Sequence, residues 1–260
     1  MIWSPLVKVL AEKVGIRATF GICGVFVLLS ITLAALVITT PNGFPKQPIT
    51  TPLASVFAGV SWKRLTRNPN FVYLWLIDGI TAGIGLMFIG QLAQLALINY
   101  QLTWGYLLVS LFSVTNIIGR LGGGFLCDRI GWVRNIKMAL YLQMASMIFL
   151  LSGWGEVALV ITTLLMGACY GLLCSSFPIA LERLFGLEEF GFIYGMLSTA
   201  AGISGFVGPL AAAALVDYSG SYRPAFIACM VAATICFLAL FLLQRHIRVS
   251  EGSSPESNRS

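Results

Sequence analysis

Two charged side chains, Arg120 and Asp78, lie inside long apolar runs of this sequence. A charge at the centre of a membrane-spanning helix costs roughly 2.5–3.5 kcal/mol on insertion scales, so such a residue faces a polar cavity or a partner. The planar guanidinium of arginine matches a carboxylate through two parallel hydrogen bonds. Arg120 is therefore predicted to bind a substrate carboxylate, and the alternative is a structural ion pair with an intramembrane acid. Asn116, one helical turn earlier, shares the face of Arg120 and is a second candidate contact.

Asp78 is the acid that could pair with Arg120 or titrate. At about 1.5 Å per residue, both side chains lie roughly 10–12 Å from the ends of their runs, on consecutive antiparallel helices, so the geometry allows a pair. Protonation of Asp78 would release Arg120 for substrate, which would couple transport to protons. A fixed salt bridge, or a contact between Asp78 and another helix, is the alternative. Gln91 and Tyr170 are uncharged candidates for substrate contacts, although such residues also bond neighbouring helices.

The composition determines which elements can hold these residues. Of 260 residues, 58% are hydrophobic and 10% are charged, and the mean hydropathy is +0.88. Soluble domains carry roughly 25% charged residues, so lipid is the predicted solvent. This excludes a soluble enzyme, a nucleic-acid binder and a disulfide-rich secreted module. The six cysteines lack metal-ligand spacing and the single histidine, His246, lies in the polar tail, so no metal site, cofactor or catalytic triad is expected.

Seven apolar runs are long enough to cross a bilayer, which takes about 20 residues per helix. They cover residues 18–38, 71–97, 105–125, 137–153, 156–180, 193–216 and 225–243. A polar, proline-rich stretch at 41–70 separates the first two runs and ends in the basic cluster of Lys63, Arg64 and Arg67. The remaining connections are short, and the Ser-rich tail at 244–260 is predicted to be disordered.

The distribution of Lys and Arg predicts the orientation of these runs. Eleven of these residues lie on one side of the runs and four on the other, and the richer side is cytoplasmic by the positive-inside rule. The C-terminus would then be cytoplasmic, in a multi-pass protein of a plasma or inner membrane. The N-terminus would lie outside, although its start is basic and has no signal-peptide architecture. An odd number of helices preceding Met1 would explain this, so we interpret the sequence as the back part of a longer transporter.

A glycine-rich segment, GRLGGGFLCDRIGWVR at residues 119–134, follows the third run. Glycines let helices approach closely where they slide past each other, and an Asp-Arg pair at the rim can bind a neighbouring helix end and latch one conformation. The simpler interpretation is a glycine-rich helix end with interfacial charges. The spacing resembles the G-x-x-x-D-R-x-G-R/K-R/K signature of the major facilitator superfamily. Gly124, Asp128, Arg129 and Gly131 match it, whereas Trp and Val replace its basic pair.

This resemblance implies an all-α integral membrane fold. The signature follows the second or eighth of twelve helices in that superfamily, and here it follows the second of the last six runs. The implied organisation is the end of an N-terminal half with one transmembrane helix (1–40), a cytoplasmic linker between halves (41–70), a six-helix C-terminal bundle (71–243) and a disordered cytoplasmic tail (244–260). The seven predicted spans would then be one helix of the N-terminal half and all six helices of the C-terminal half, with five N-terminal helices absent.

Within the superfamily, the sequence is most similar to the oxalate/formate antiporter family and its monocarboxylate-transporter relatives. RNPNFVYLWL at 67–76 and GLMFIG at 85–90 resemble their seventh helix. Those transporters carry an arginine eight residues before the signature aspartate, where Arg120 stands here. Oxalate-type members also carry a lysine in a T-A-K-G context, where this chain reads TAAG with Ala201 at the lysine position. A single cation suits a single carboxylate, so the resemblance favours a monocarboxylate, of the lactate, formate or pyruvate type, over oxalate.

The predicted function is secondary transport of this anion by alternating access, with proton coupling and exchange both open. The transport site of such folds lies between two repeats. This chain would therefore be inactive alone or would need a separately encoded N-terminal half as partner. A non-transporting fragment of a truncated or split gene is the main alternative. A seven-helix light receptor is disfavoured because residues 225–243 contain no lysine, and a membrane enzyme because no intramembrane group is spaced for chemistry.

Overall fold

The structure is a computed structural model that describes residues 3–37, 62–187 and 189–252. Its secondary-structure elements in these ranges are all helices. They belong to two compact units, residues 1–59 and 60–260. In the first unit, α1 (Trp3–Val14) and α2 (Ile16–Val37) meet at Gly15, whose φ of 80° is readily adopted only by glycine. Thr19 is the buried residue of α2, and its Oγ1 donates a hydrogen bond to the Gly15 carbonyl.

The second unit is a bundle of six long helices preceded by a short one. In chain order these helices are α3 (Trp62–Arg67), α4 (Pro69–Tyr100), α5 (Gly105–Ile130), α6 (Trp132–Leu151), α7 (Gly155–Phe185), α8 (Phe190–Ser219) and α9 (Arg223–Gly252). Asn68 caps α4 by accepting a hydrogen bond from the Asn70 amide, and Pro69 occupies the first turn, where its missing N–H costs nothing. Glycines with positive φ end α5, α7 and α8, at Gly131, Gly186 and Gly220.

Six helices in the described ranges are long and apolar enough to cross a membrane: α2, α4, α5, α7, α8 and α9. The seventh predicted run, 137–153, lies mostly in α6, which is 20 residues long but is less apolar than these six helices. The reason is that α6 carries Arg134 and Lys137 near its start and directs Asn135, Gln143 and Ser146 into the bundle, where they are buried.

The polar side chains of α6 are used to bond its neighbours. Asn135 Nδ2 donates to Ser176 Oγ on α7 at 2.7 Å and to the Gly123 carbonyl on α5 at 3.2 Å. Gln143 Nε2 donates to the Thr81 carbonyl on α4 at 3.3 Å. Side-chain hydrogen bonds therefore attach α6 to three helices in addition to apolar contact, and the buried Asn135 Oδ1 and Gln143 Oε1 have no partner among the described groups.

The ends of two segments differ from the sequence-based expectation. The last residues of the predicted linker, 41–70, form α3 and the first two residues of α4. Residues 38–61 lie outside the described ranges. The tail predicted to be disordered from residue 244 instead continues α9 to Gly252. Leu240 and Leu243 are fully buried and Ile247 packs against the same core, so the helical spacing of apolar residues extends past the predicted end. Residues 253–260 lie outside the described ranges.

Close backbone contact holds α5 against α7. Gly119 and Gly123 on α5 lie against α7, Gly167 and Gly171 on α7 lie against α5, and each pair has the four-residue spacing that places both members on one helix face. A Cβ added at any of the four would collide with the opposite helix; at Gly171, for example, it would lie 2.7 Å from the Arg120 amide nitrogen. Small residues with this spacing let two membrane helices approach to backbone contact.

The contact between α4 and α8 is built in the same way. A Cβ added at Gly83 would meet the Ser204 side chain at 3.0 Å, and one added at Gly208 would lie 2.8 Å from the Gly83 carbonyl. Gly79 lies one turn earlier against Ala200. Two glycine-mediated helix pairs, α5 with α7 and α4 with α8, therefore form the frame of the bundle.

Replacing Gly119 by alanine should destabilise the bundle, because the new methyl group would press on the Ala168 backbone of α7. We expect a loss of about 1–3 kcal/mol in the free energy of unfolding, the usual cost of overpacking, seen as a lower thermal midpoint in detergent. Gly122→Ala is the matched control, since nothing lies within 4 Å of its added Cβ. Equal midpoints for the two variants would contradict the proposed helix contact.

Candidate functional site

A polar cavity of about 160 Å³ lies among α4, α5, α7 and α8. Its lining combines one guanidinium, one carboxylate, two phenols, a thiol and two aliphatic hydroxyls: Arg120, Asp78, Tyr170, Tyr194, Cys174, Ser198 and Thr81. Drug-sized ligands occupy pockets of roughly 300–1,000 Å³, so this cavity fits a smaller molecule. A larger hollow of about 350 Å³ lies among α4, α8 and α9, but its described lining contains no acidic or basic residue. Of these two spaces, the smaller cavity is the one whose described lining carries charged residues.

Arg120 is placed at this cavity by the contact between α5 and α7. Its backbone amide lies against Gly171, where any side chain would push the two helices apart. Its guanidinium Nη2 donates to Cys174 Sγ at 3.6 Å, and the residue as a whole is exposed. A thiol is a weak acceptor, so the remaining N–H groups of Arg120 are available for a stronger acceptor such as a carboxylate.

Asp78 lines the same cavity from α4. Among the side chains that the structure describes, it makes no ion pair within 4 Å, and the one ion pair seen there joins Lys8 to Glu12. The predicted salt bridge between Asp78 and Arg120 is therefore not formed in this conformation, because Arg120 turns towards Cys174 on α7. A cation and an acid thus face one cavity without neutralising each other directly.

Tyr170 is half-buried, and its ring is positioned by a glycine. A Cβ added at Gly85 on α4 would lie 2.5 Å from a ring carbon of Tyr170, so the ring packs directly on the α4 backbone. Its other neighbour is Phe112, with ring centroids 6.2 Å apart. The predicted participation of Tyr170 in the cavity agrees with this position.

Gln91 and Asn116, the other two predicted contacts, are not among the residues that line the cavity. Gln91 uses both ends of its amide in the protein: Nε2 donates to the Pro209 carbonyl at 3.4 Å, and Oε1 accepts from Tyr222 Oη at 3.2 Å. These bonds join α4 to α8 and to the turn before α9, and the contact of Gln91 with substrate stays a prediction. Asn116 is partly buried, and its Nδ2 has no partner among the described groups.

The glycine-rich signature lies at the C-terminal end of α5, around the turn into α6. Gly131 has a φ of 85° and separates α5 from α6, which explains the glycine at this point. Asp128 and Arg129 are exposed. The Arg129 guanidinium carbon lies 4.2 Å from the centre of the Phe125 ring, a cation–π contact within its own helix. Among the described residues, this contact of Arg129 lies within α5, and the latch from the Asp-Arg pair to a neighbouring helix stays a prediction. A Cβ added at Gly124 would meet nothing within 4 Å.

Sequence reasoning missed several polar residues that the structure brings to these sites, among them Thr81 and Tyr194, which line the cavity. Cys174 and Ser198 line the cavity, and each lies four residues after an aromatic lining residue, Tyr170 or Tyr194. That spacing on an apolar helix is the signal that could have found them. Asn135 is fully buried beneath the signature, but nothing in its local sequence distinguishes it from a polar residue at an exposed helix start. Within the described ranges, no group of three His, Cys, Asp or Glu side chains could hold a metal ion.

Comparison with known proteins gives consistent matches. The family model described as Major Facilitator Superfamily matches residues 1–155 and 138–259. The chain is 27% identical over 197 residues to the uncharacterized MFS-type transporter YhjX of Escherichia coli (strain K12), covering 75% of this chain and 48% of that protein. It is 23% identical over 232 residues to the MFS transporter asaE of Aspergillus flavus, covering 85% of this chain and 49% of that protein. The chain spans about half the length of the curated relatives it matches.

The cavity predicts selective reaction of one cysteine. Cys174 lines the cavity beside Arg120, whereas Cys169 is fully buried on the same helix. In variants that retain only one of these two cysteines, we expect a small polar thiol reagent to label Cys174 on the order of tenfold faster, because exposure governs thiol reactivity. Mass spectrometry of the intact protein measures both rates. Equal rates for the two variants would show that the cavity is closed to water.

Proposed function

Because the chain belongs to the major facilitator superfamily, we propose that it carries a small organic anion with one carboxylate across a membrane, and that Arg120 binds this carboxylate. The chain is a multi-pass membrane protein of a transporter family. The observation that carries the proposal is the exposed guanidinium of Arg120 in a small polar cavity of a membrane-spanning bundle. Its remaining donors can form the bidentate pair that a carboxylate prefers.

The lining of the cavity supports a monocarboxylate over a dicarboxylate such as oxalate. Ala201, which stands where oxalate-type relatives are expected to carry a lysine, lines the cavity together with Arg120. A lysine there would add a second cation to the same small space. With alanine, Arg120 is the one basic side chain of the described lining, and it can neutralise one carboxylate.

Transport by alternating access would require a second wall opposite this cavity. Arg120, Tyr194 and Ser198 are all exposed although they line the cavity, so one side of the site is open in the described bundle. The transport sites of such folds lie between two repeats. We therefore propose that an N-terminal half, possessed by the full transporter or supplied by a separate chain, closes the site over these residues.

Asp78 is proposed to couple the anion to a proton. An ionised Asp78 in the same cavity would repel a carboxylate, and its protonation removes this repulsion. Acid conditions would then favour anion binding, and the proton would travel with the substrate. Exchange of one anion for another is the second possible mode, in which Asp78 keeps one protonation state throughout.

Replacing Arg120 by glutamine tests the binding role. Hydrogen bonds to charged groups contribute roughly 1.5–3 kcal/mol, so we expect a loss of roughly 10- to 100-fold in affinity for a labelled monocarboxylate such as lactate. Binding to the purified chain in lipid nanodiscs measures this without requiring transport. Arg120→Lys should recover part of the affinity through its charge, and Arg223→Gln, at the start of α9, is the charge-matched control. Unchanged affinity in Arg120→Gln would refute the assignment.

Replacing Asp78 by asparagine tests the coupling. In the unmodified chain, affinity for the monocarboxylate should rise as the pH falls and Asp78 becomes neutral. Asp78→Asn should bind with high affinity at every pH, because the amide imitates the protonated acid. Glu156→Gln, an exposed acid in the first turn of α7, is the control that removes the same charge elsewhere. A pH dependence that persists in Asp78→Asn would assign the titration to another group.

A further inference from the structure

A third, strongly basic hollow lies where α3, the start of α4 and the end of α9 come together. Its volume is about 550 Å³, and it is open to the surroundings. Its described lining contains three permanent cations, one histidine, two amides and a proline: Lys63, Arg64, Arg67, His246, Asn68, Asn70 and Pro69. No acidic residue belongs to that lining.

The cations are held in place by the fold. Leu65, between Arg64 and Arg67 on α3, is 4% exposed and belongs to the core of the bundle, so α3 is anchored with its basic residues facing outwards. Asn68 then caps α4 directly after α3. On the other wall, His246 Nδ1 lies 3.0 Å from Asn70 Oδ1, which connects the end of α9 to the first turn of α4.

The charges of this hollow are available to a ligand. Among the side chains that the structure describes, none of Lys63, Arg64 and Arg67 forms an ion pair within 4 Å. Guanidinium groups bind phosphate oxygens in bidentate fashion and lysine adds a mobile point charge. The N-terminus of α4, a helix of 32 residues, adds its partial positive charge at the same place.

The position of the hollow determines which phosphate reaches it. Pro69–Tyr100 and Arg223–Ile247 are both candidate membrane spans, and the hollow lies where the first begins and the second ends. The same end of the bundle is the basic side predicted to be cytoplasmic. Clusters of Lys and Arg directly beside a membrane span attract the anionic headgroups of that leaflet. The surrounding apolar helices would hold the acyl chains of the same molecule.

We propose that Lys63, Arg64 and Arg67, with His246 on the opposite wall, form a binding site for the phosphate of an anionic phospholipid headgroup. This site is separate from the proposed substrate cavity, and its test does not depend on transport. The bound lipid would join α3 and α9 across the first turn of α4, the helix that carries Asp78.

The test is lipid binding by the full purified chain in neutral detergent. The probes are short-chain phosphatidylglycerol, short-chain phosphatidylcholine and inorganic phosphate, each followed by native mass spectrometry or microscale thermophoresis. The test variant is Lys63→Gln/Arg64→Gln/Arg67→Gln. The control is Arg134→Gln/Lys137→Gln/Arg183→Gln, which removes the same charge from the same predicted face outside the hollow. A third variant, Lys63→Arg/Arg64→Lys/Arg67→Lys, preserves the charge and reports on folding.

We expect phosphatidylglycerol to bind the unmodified chain and the control with equal affinity. The test variant should lose on the order of 100-fold, since three juxtamembrane cations each contribute a factor of roughly five. The charge-preserving variant should keep most of the affinity. Equal losses in the test and control variants would overturn the proposal in favour of diffuse surface charge. Inorganic phosphate binding as tightly as the lipid would overturn the lipid assignment, and equal binding of the zwitterionic phosphatidylcholine would overturn the preference for a headgroup with net negative charge.

Discussion

The backbone contact between α5 and α7 is the constraint on which the geometry of the substrate cavity depends. Lipid supplies little hydrophobic force between helices, so membrane helices associate through close packing and hydrogen bonds. Gly119 and Gly123 of α5 and Gly167 and Gly171 of α7 each lie against the opposite helix at this contact. The contact brings the α5 backbone at Arg120 against α7, and this is why the guanidinium reaches Cys174 and shares a cavity with Tyr170. A side chain at Gly171 would move Arg120 away from that position.

Buried polar side chains add hydrogen bonds to the glycine-mediated helix contacts. The α6 helix is less apolar than the other long helices of the bundle, and Asn135 and Gln143 bond it to α4, α5 and α7. In a medium of low dielectric constant such hydrogen bonds are costly to break, because the freed groups find no water. Gln143 bonds the carbonyl of Thr81, which itself lines the cavity. The wall that carries Asp78 is therefore supported from behind by α6.

The sequence was sufficient to predict the helical membrane architecture and the two charged residues of the cavity. Arg120 and Asp78 could be found because a charge in an apolar run is expensive and needs a polar environment. The hydrogen bonds of Gln91 could not be predicted, because its partners, Pro209 and Tyr222, are 118 and 131 residues away and local sequence does not show such contacts. The extension of α9 was missed for a related reason: Leu243 is buried by tertiary packing, whereas the surrounding residues have the composition of a polar tail.

The charges of the cavity also constrain how an anion could pass through it. With Arg120 and an ionised Asp78, the empty cavity is formally neutral, and no direct ion pair is needed because water can enter on the exposed side of Arg120. Binding of one carboxylate would then leave one uncompensated negative charge in a region of low dielectric constant, which is unfavourable. A proton on Asp78 restores neutrality without any movement of Arg120. A lysine at position 201, as a second cation beside Arg120, would achieve the same balance without a proton. The alanine found there is consistent with a carrier in which charge compensation comes from Asp78, and this connects the preference for a single carboxylate to the proposed proton coupling.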